Sequence, residues 1–63
     1  MPLVQSSAMN RVDYDEPARR LDIWFRATGR YSYFGVPLAI YVGLLNAPSK
    51  GRYFNDNIRD HFR

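Results

Sequence analysis

The sequence contains no cysteine, a single histidine and a single lysine, and its hydrophobic runs are short. Without cysteine there is no disulfide and no four-ligand set for a structural zinc, so a core of large side chains must hold the fold. The longest apolar stretch, residues 36–47, is too short to cross a bilayer. No charged segment followed by an apolar run opens the chain, so a signal peptide is not expected. These absences predict a soluble, cytoplasmic protein without membrane contact.

The 63 residues favour one domain, residues 1–63. A chain this short buries only about 60% of the surface that it exposes when unfolded, so its core must be dense. One Trp, five Tyr and four Phe supply that density. Residues 1–7 show no periodicity and are expected to be frayed.

Basic residues outnumber acidic ones by nine to six, a net charge of +3, and eight of the nine are arginine. The planar guanidinium binds phosphate or carboxylate in a fork and stacks on aromatic rings. This choice of residue favours nucleic acid or an acidic partner. An excess of charge that serves only solubility is the alternative.

Three segments alternate apolar and polar residues as strands do: 8–14, 21–26 and 30–34. The sequence Asp15-Glu16-Pro17 ends the first segment, and Thr28-Gly29 forms the turn between the second segment and the third. Pro37 is suited to the first position of a helix. Asn46 and Pro48 end that helix, and Ser49 is a candidate N-cap for a second one.

The first helix is apolar almost all round. Its expected core stripe is Leu38, Tyr41, Val42 and Leu45, with Ile40 and Leu44 as a second ridge. Either the apolar stripe of the second helix covers this second ridge, which is the favoured alternative, or a partner does. The second helix has the stripe Phe54, Ile58 and Phe62 and is expected to reach His61 in its last turn. The predicted fold is therefore α+β: a three-stranded antiparallel meander followed by two helices packed on one face, in the order βββαα.

The turn around Gly29 has two possible registers. A two-residue loop pairs Trp24 with Tyr33 and places both tyrosines on the face away from the helices, as an open stacking platform. A three-residue loop with left-handed Gly29 pairs Ile23 with Tyr33 and Phe25 with Tyr31, which turns the tyrosines toward the core. Threonine resists the positive φ that the shorter loop requires, so the bulged register is favoured.

No catalytic signature is present, and the chain is predicted not to be an enzyme. His61 has no Ser or acid partner with which to form a nucleophilic site. Asp13, Asp15 and Glu16 lack the length and pattern of a calcium loop. The four glycines form no phosphate-binding motif. Neither a metal, a cofactor nor a small-molecule substrate is implied.

Two binding functions remain. The first is a nucleic-acid-binding module, with RNA as the ligand, that uses basic and aromatic residues of the outer sheet face with help from the second helix: Arg11, Trp24, Arg26, Arg30, Arg52 and Arg59. Phe34 is expected on the same sheet face. The second is a protein-interaction module that binds itself or a larger protein through Ile40 and Leu44 of the first helix.

Two strings carry a family resemblance: residues 31–37, Tyr-Ser-Tyr-Phe-Gly-Val-Pro, and residues 51–55, Gly-Arg-Tyr-Phe-Asn, with Ile58 and Arg59 after them. Together they resemble the KTSC domain, which is named from the C-terminus of some lysyl-tRNA synthetases and also occurs as short bacterial or phage proteins. The resemblance implies a small domain with the Tyr-x-Tyr motif at Tyr31 and Tyr33. Its tRNA-synthetase context implies an RNA-related role.

Overall fold

The computed structural model describes residues 8–62, so the frayed end predicted for residues 1–7 lies outside the described residues. The elements in chain order are β1 (Met9–Asp15), β2 (Arg20–Phe25), β3 (Gly29–Tyr33), α1 (Leu38–Asn46) and α2 (Lys50–Asn57). The strands form one antiparallel sheet in the order β1-β2-β3. The predicted α+β architecture, a meander followed by two helices, is confirmed.

The inner face of the sheet forms the core with the helices. Alternation places Val12, Leu21 and Ile23 on this face, and all three are wholly buried. An irregularity in the pairing between Met9 and Arg11 shifts the phase of β1. Met9 therefore also reaches the core, although simple alternation with Val12 would exclude it.

In the β2–β3 hairpin the tyrosines lie on the predicted face of the sheet, but the strands pair in a different register. Ile23 pairs with Tyr31 and Leu21 with Tyr33, two residues away from the predicted pairing. Because the shift is even, the tyrosines still share the face of Ile23. Gly29 takes the predicted positive φ, at 91°, but it pairs with Phe25, and residues 26–28 form the turn.

Helix α1 packs through its second ridge and through half of the expected stripe, since Tyr41 and Leu45 also pack against the core. Leu44 is wholly buried, whereas Leu38 and Val42 are 44% and 43% exposed. The close approach of Tyr53 explains this orientation. Its hydroxyl donates a hydrogen bond of 3.1 Å to the Ile40 carbonyl, and its ring lies against Gly43. The side of α1 that carries residues 40, 43 and 44 is thereby turned inward.

Helix α2 begins as predicted and ends early. The Ser49 hydroxyl accepts a hydrogen bond from the Arg52 N–H at 3.4 Å, which confirms the N-cap. Asn57, the last helical residue, donates its side-chain amide to the Tyr53 carbonyl, a bond that competes with continued helix.

Phe54 and Ile58 are buried, and Phe62 packs against the core from the segment beyond the helix. His61 is therefore not in a helix but in a turn. Its imidazole Nε2 lies 3.2 Å from the Asp56 carbonyl oxygen.

The connection from the sheet to α1 is held at Val36. Its N–H donates to the Arg19 carbonyl at 3.0 Å, and its carbonyl accepts a 2.6 Å hydrogen bond from the Tyr14 hydroxyl. The Tyr14 ring also stacks on Tyr41 of α1, with centroids 4.9 Å apart. These contacts fix the start of α1 over β1. Between residues 8 and 62, no helix is long and apolar enough to cross a membrane.

Candidate nucleic-acid interface

Trp24 occupies the middle strand on the outer face of the sheet, between two arginines. It pairs with Arg11 of β1 and with Arg30 of β3. The guanidinium carbon of Arg11 lies 4.3 Å from the centre of a Trp24 ring, and that of Arg30 lies 6.0 Å away. Both distances are within the range of cation–π attraction. We call Arg11, Trp24 and Arg30 the arginine–tryptophan cluster.

The other end of the outer face is acidic. Asp22 is only 6% exposed, and it accepts hydrogen bonds from Ser32 at 2.5 Å and from the Arg20 Nε at 3.2 Å. Arg20 also lies 3.7 Å from Asp15. Because Arg20 faces these carboxylates, it adds little free positive charge. The outer face thus has a basic half at the cluster and an acidic half toward the β1–β2 turn.

The other predicted contact residues do not join the cluster. Arg26 lies exposed in the β2–β3 turn. Arg52 is on α2, with its side chain 84% exposed and 3.8 Å from Asp56. Arg59 follows α2, on the helix side of the sheet, beside Tyr33. Phe34 follows the end of β3 and is 56% exposed. The six predicted residues therefore fall into at least two separate surfaces.

A groove that sequence reasoning missed lies on the helix side of β3. We call it the aromatic groove, and its cavity of about 350 Å³ is lined by Phe25, Thr28, Tyr31, Tyr33, Phe54 and Arg59. A neighbouring cavity of about 500 Å³ shares Tyr33 and Arg59 with it and adds Asp60 and Phe62. The Tyr-x-Tyr motif gave a partial signal, but only the fold brings Phe54 and Arg59 to it.

The rings of the aromatic groove are packed edge to face. The centroid of Phe54 lies 5.0 Å from that of Phe25 and 5.5 Å from that of Tyr33. Tyr31 is tilted by 57° against Phe25 at 5.8 Å and is 49% exposed. The prediction that both tyrosines are core residues is therefore right for the half-buried Tyr33 and wrong for Tyr31, which forms the open side of the groove.

The Tyr33 hydroxyl is held in its neutral form. Burial raises its pKa above the ordinary value of 10.0, nearby Tyr31 raises the pKa further, and Arg59 opposes the rise. Near neutral pH the phenol is therefore a hydrogen-bond donor in a groove whose one basic side chain is Arg59. Within residues 8–62, no three His, Asp or Glu side chains are grouped so as to hold a metal ion.

The surface predicted for protein interaction is altered by the packing of α1. Leu44 cannot be a contact residue because it is wholly buried, and Ile40 is half-buried against the core. The large apolar residues that α1 presents to solvent are Leu38 and Val42.

The comparisons with known proteins agree on one family. The KTSC domain model matches residues 5–62. A crystal structure of a KTSC domain protein from Yersinia pestis superposes with a TM-score of 0.96 at 39% identity, over 98% of this chain and 87% of that one. An uncharacterized protein of Stutzerimonas stutzeri is 34% identical over 61 residues, which is 95% of this chain and 86% of that protein.

A lysine–tRNA ligase of Nostoc punctiforme is 36% identical over 59 residues, but the match spans only 10% of the ligase. Lysine–tRNA ligases of Trichormus variabilis and of a second Nostoc strain are matched over the same 10% of their length. The chain therefore corresponds to a small part of these enzymes and to nearly all of the short proteins. With the model match, the structural similarity and the Tyr-x-Tyr motif in the expected hairpin, this chain belongs to the KTSC domain family.

Proposed function

We propose that this domain is a non-catalytic RNA-binding module that contacts phosphates through the arginine–tryptophan cluster. The observation that carries the proposal is the placement of Arg11 and Arg30 on either side of Trp24, on neighbouring strands. A cation–π contact with an indole orients a guanidinium, and guanidinium groups bind phosphate oxygens through their planar fork. The net charge of +3 favours the approach of a polyanion.

RNA is the ligand class to test first because the matched ligases are named for a reaction on tRNA. The match to a small part of those enzymes supports a role as an accessory binding segment. It gives no support to ligase activity in this chain.

The test is a titration with tRNA, single-stranded RNA and duplex DNA at two salt concentrations. Trp24 is the only tryptophan, so its fluorescence reports on the outer face directly. The expected result is a change in Trp24 emission with RNA and an affinity that falls steeply with salt. Failure of all three nucleic acids to bind at low salt would refute the proposal.

Arg30→Gln and Arg52→Gln form a matched pair, since each removes one positive charge from an exposed residue. Arg30 lies in the cluster, whereas Arg52 lies on α2 beside Asp56. Loss of one phosphate contact should lower the logarithmic salt slope by about 0.7 for a single strand. We expect this change in Arg30→Gln only. An equal effect of the two substitutions would show that net charge, not the cluster, determines binding.

A second candidate function is self-association through α1, favoured by the exposure of Leu38 and Val42. Light scattering on the same samples tests it. A homodimer should have twice the monomer mass of 7.4 kDa. It should be lost in Val42→Lys but retained in Asn46→Lys, which places the same charge on another exposed position of α1. A monomeric mass at all concentrations rules this candidate out.

A further inference from the structure

We propose that the aromatic groove is a binding pocket for one unpaired nucleotide, whose base stacks on Tyr31 and whose phosphate binds Arg59. The inference rests on the proposed RNA-binding function and adds a second contact, on the opposite side of β3 from the arginine–tryptophan cluster. It also makes single-stranded rather than duplex RNA the preferred ligand.

The groove has the dimensions of a small-ligand site. Its cavity of about 350 Å³ adjoins a second of about 500 Å³ through Tyr33 and Arg59. Small-molecule pockets are typically about 300–1,000 Å³ and are lined by aromatic side chains with a few polar groups. The first cavity is sized for a base, and the second, which Arg59 also lines, has room for the sugar and phosphate.

The rings are arranged so that one of them is available for stacking. Phe54 holds Phe25 and Tyr33 through two edge-to-face contacts, so these three rings form a fixed wall. Tyr31 is half exposed. An exposed tyrosine beside a rigid aromatic wall is the arrangement that single-strand binders use, because every base has a π-face.

The polar groups of the groove suit a nucleotide. Arg59 lines both cavities, and among the described residues none of the ion pairs includes it. Its guanidinium can therefore bind a phosphate. The neutral Tyr33 phenol can donate a hydrogen bond to a base or ribose oxygen. Asp60 also lines the second cavity, so Arg59 is the one group there that attracts a phosphate.

The position of β3 connects the groove with the cluster. β3 ends the sheet, and consecutive residues of a strand point to opposite faces. Arg30 therefore contacts Trp24 on the outer face, while Tyr31 lines the groove on the inner face. A flexible single strand that crosses this edge can place a phosphate at Arg30 and the next base in the groove. A duplex, with a persistence length of about 150 base pairs for DNA, is too stiff to do so.

The direct test is an NMR titration of the full chain with adenosine 5′-monophosphate, with inorganic phosphate as the control. We expect the mononucleotide to shift the ring signals of Tyr31 and Tyr33 and the side-chain signals of Arg59, with no equal shift of Trp24. Phosphate alone should shift Arg59 without the tyrosine rings. Absence of tyrosine ring shifts at millimolar mononucleotide would overturn the inference, whatever happens with longer RNA.

Substitutions then connect the groove with RNA binding. Tyr31→Ala should weaken single-stranded RNA binding about tenfold, as expected for loss of one stacked base, whereas Tyr31→Phe should retain the affinity. Phe34→Ala is the control because it removes another exposed ring close in sequence, outside the groove lining. Equal losses of RNA affinity in Tyr31→Ala and Phe34→Ala would show that the groove is not part of the RNA interface.

The outcomes separate the two proposals. If RNA quenches Trp24 fluorescence and Tyr31→Ala leaves the RNA affinity unchanged, the proposed function stands and the nucleotide pocket in the groove is ruled out. If no RNA binds at low salt, the proposed function fails, and the mononucleotide titration alone decides whether the groove binds a nucleotide. Displacement of the mononucleotide by poly-glutamate as effectively as by RNA would show that the groove selects an acidic chain and not a base, and would also overturn the inference.

Discussion

Gly43 is the position where a single added methyl group should have the clearest effect on stability. A Cβ built at this residue would lie within 2.7 Å of the Tyr53 ring carbon Cζ and closer still to its hydroxyl oxygen. That hydroxyl is not free to move aside without loss, because it donates to the Ile40 carbonyl. We therefore expect Gly43→Ala to separate α1 from α2.

The expected change in the free energy of unfolding combines one stabilising effect with two destabilising ones. Replacing glycine by alanine inside a helix stabilises it by about 1 kcal/mol. Overpacking a well-packed contact costs about 1–3 kcal/mol, and loss of the Tyr53 hydrogen bond costs about 0.5–1.5 kcal/mol. The destabilising effects are larger, and the net loss of stability is about 0.5–3.5 kcal/mol. In a domain of this size each 1 kcal/mol lowers Tm by roughly 4–8 °C.

Thermal and urea unfolding, followed by circular dichroism, measure this loss. Gly51→Ala is the matched control, since the nearest atom to its added Cβ is the Ala8 Cβ at 3.4 Å, an ordinary contact. It should be neutral or stabilising. In a Tyr53→Leu background, Gly43→Ala should lose most of its cost, because the ring that it meets is gone. A Gly43→Ala protein as stable as the parent would refute the packing described for α1 and α2.

Two further predictions concern tyrosines. Burial raises the pKa of Tyr33 and of Tyr41 above 10.0, so the folded state holds their protons more tightly than the unfolded state. Their contribution to unfolding free energy should be constant below pH 10 and fall as pH rises through the folded pKa values. Urea titrations on both sides of pH 10 should show a smaller fall in the free energy of unfolding for the Tyr33→Phe, Tyr41→Phe double variant than for the parent. An equal fall would contradict the raised pKa values of these two tyrosines. Tyr14→Phe removes the donor to the Val36 carbonyl and should cost about 1 kcal/mol in urea unfolding, whereas full stability would show that solvent replaces that bond.

The hairpin shows what alternation can predict and what it cannot. The apolar residues at 21, 23 and 25 fix which face of β2 is buried, and the favoured turn placed the tyrosines on that face. The pairing itself was wrong by two residues. Both pairings satisfy the alternation equally and differ only in how residues 26–29 close the turn, which propensity does not determine.

Helix α1 was predicted in extent but only partly in orientation, since Tyr41 and Leu45 pack against the core as expected whereas Leu38 and Val42 are exposed. A helix that is apolar almost all round gives no periodic signal to identify its buried side. The orientation is set by Gly43, where the absence of a side chain admits the Tyr53 ring. The candidate groove was missed for a related reason. It combines Phe25 and Tyr31 of the hairpin with Phe54 and Arg59 from the end of the chain, and no sequence spacing connects them.

The two hydrogen bonds at Val36 have a consequence for the order in which the domain assembles. Both partners, the Arg19 carbonyl and the Tyr14 hydroxyl, belong to the β1–β2 hairpin. Each strand pairs with its neighbour in sequence, so the meander closes only short loops and can form early. The two Val36 contacts hold both partners in place only when that hairpin is present. We therefore expect α1 to dock after the β1–β2 hairpin has formed, and the helices to detach first when the domain opens.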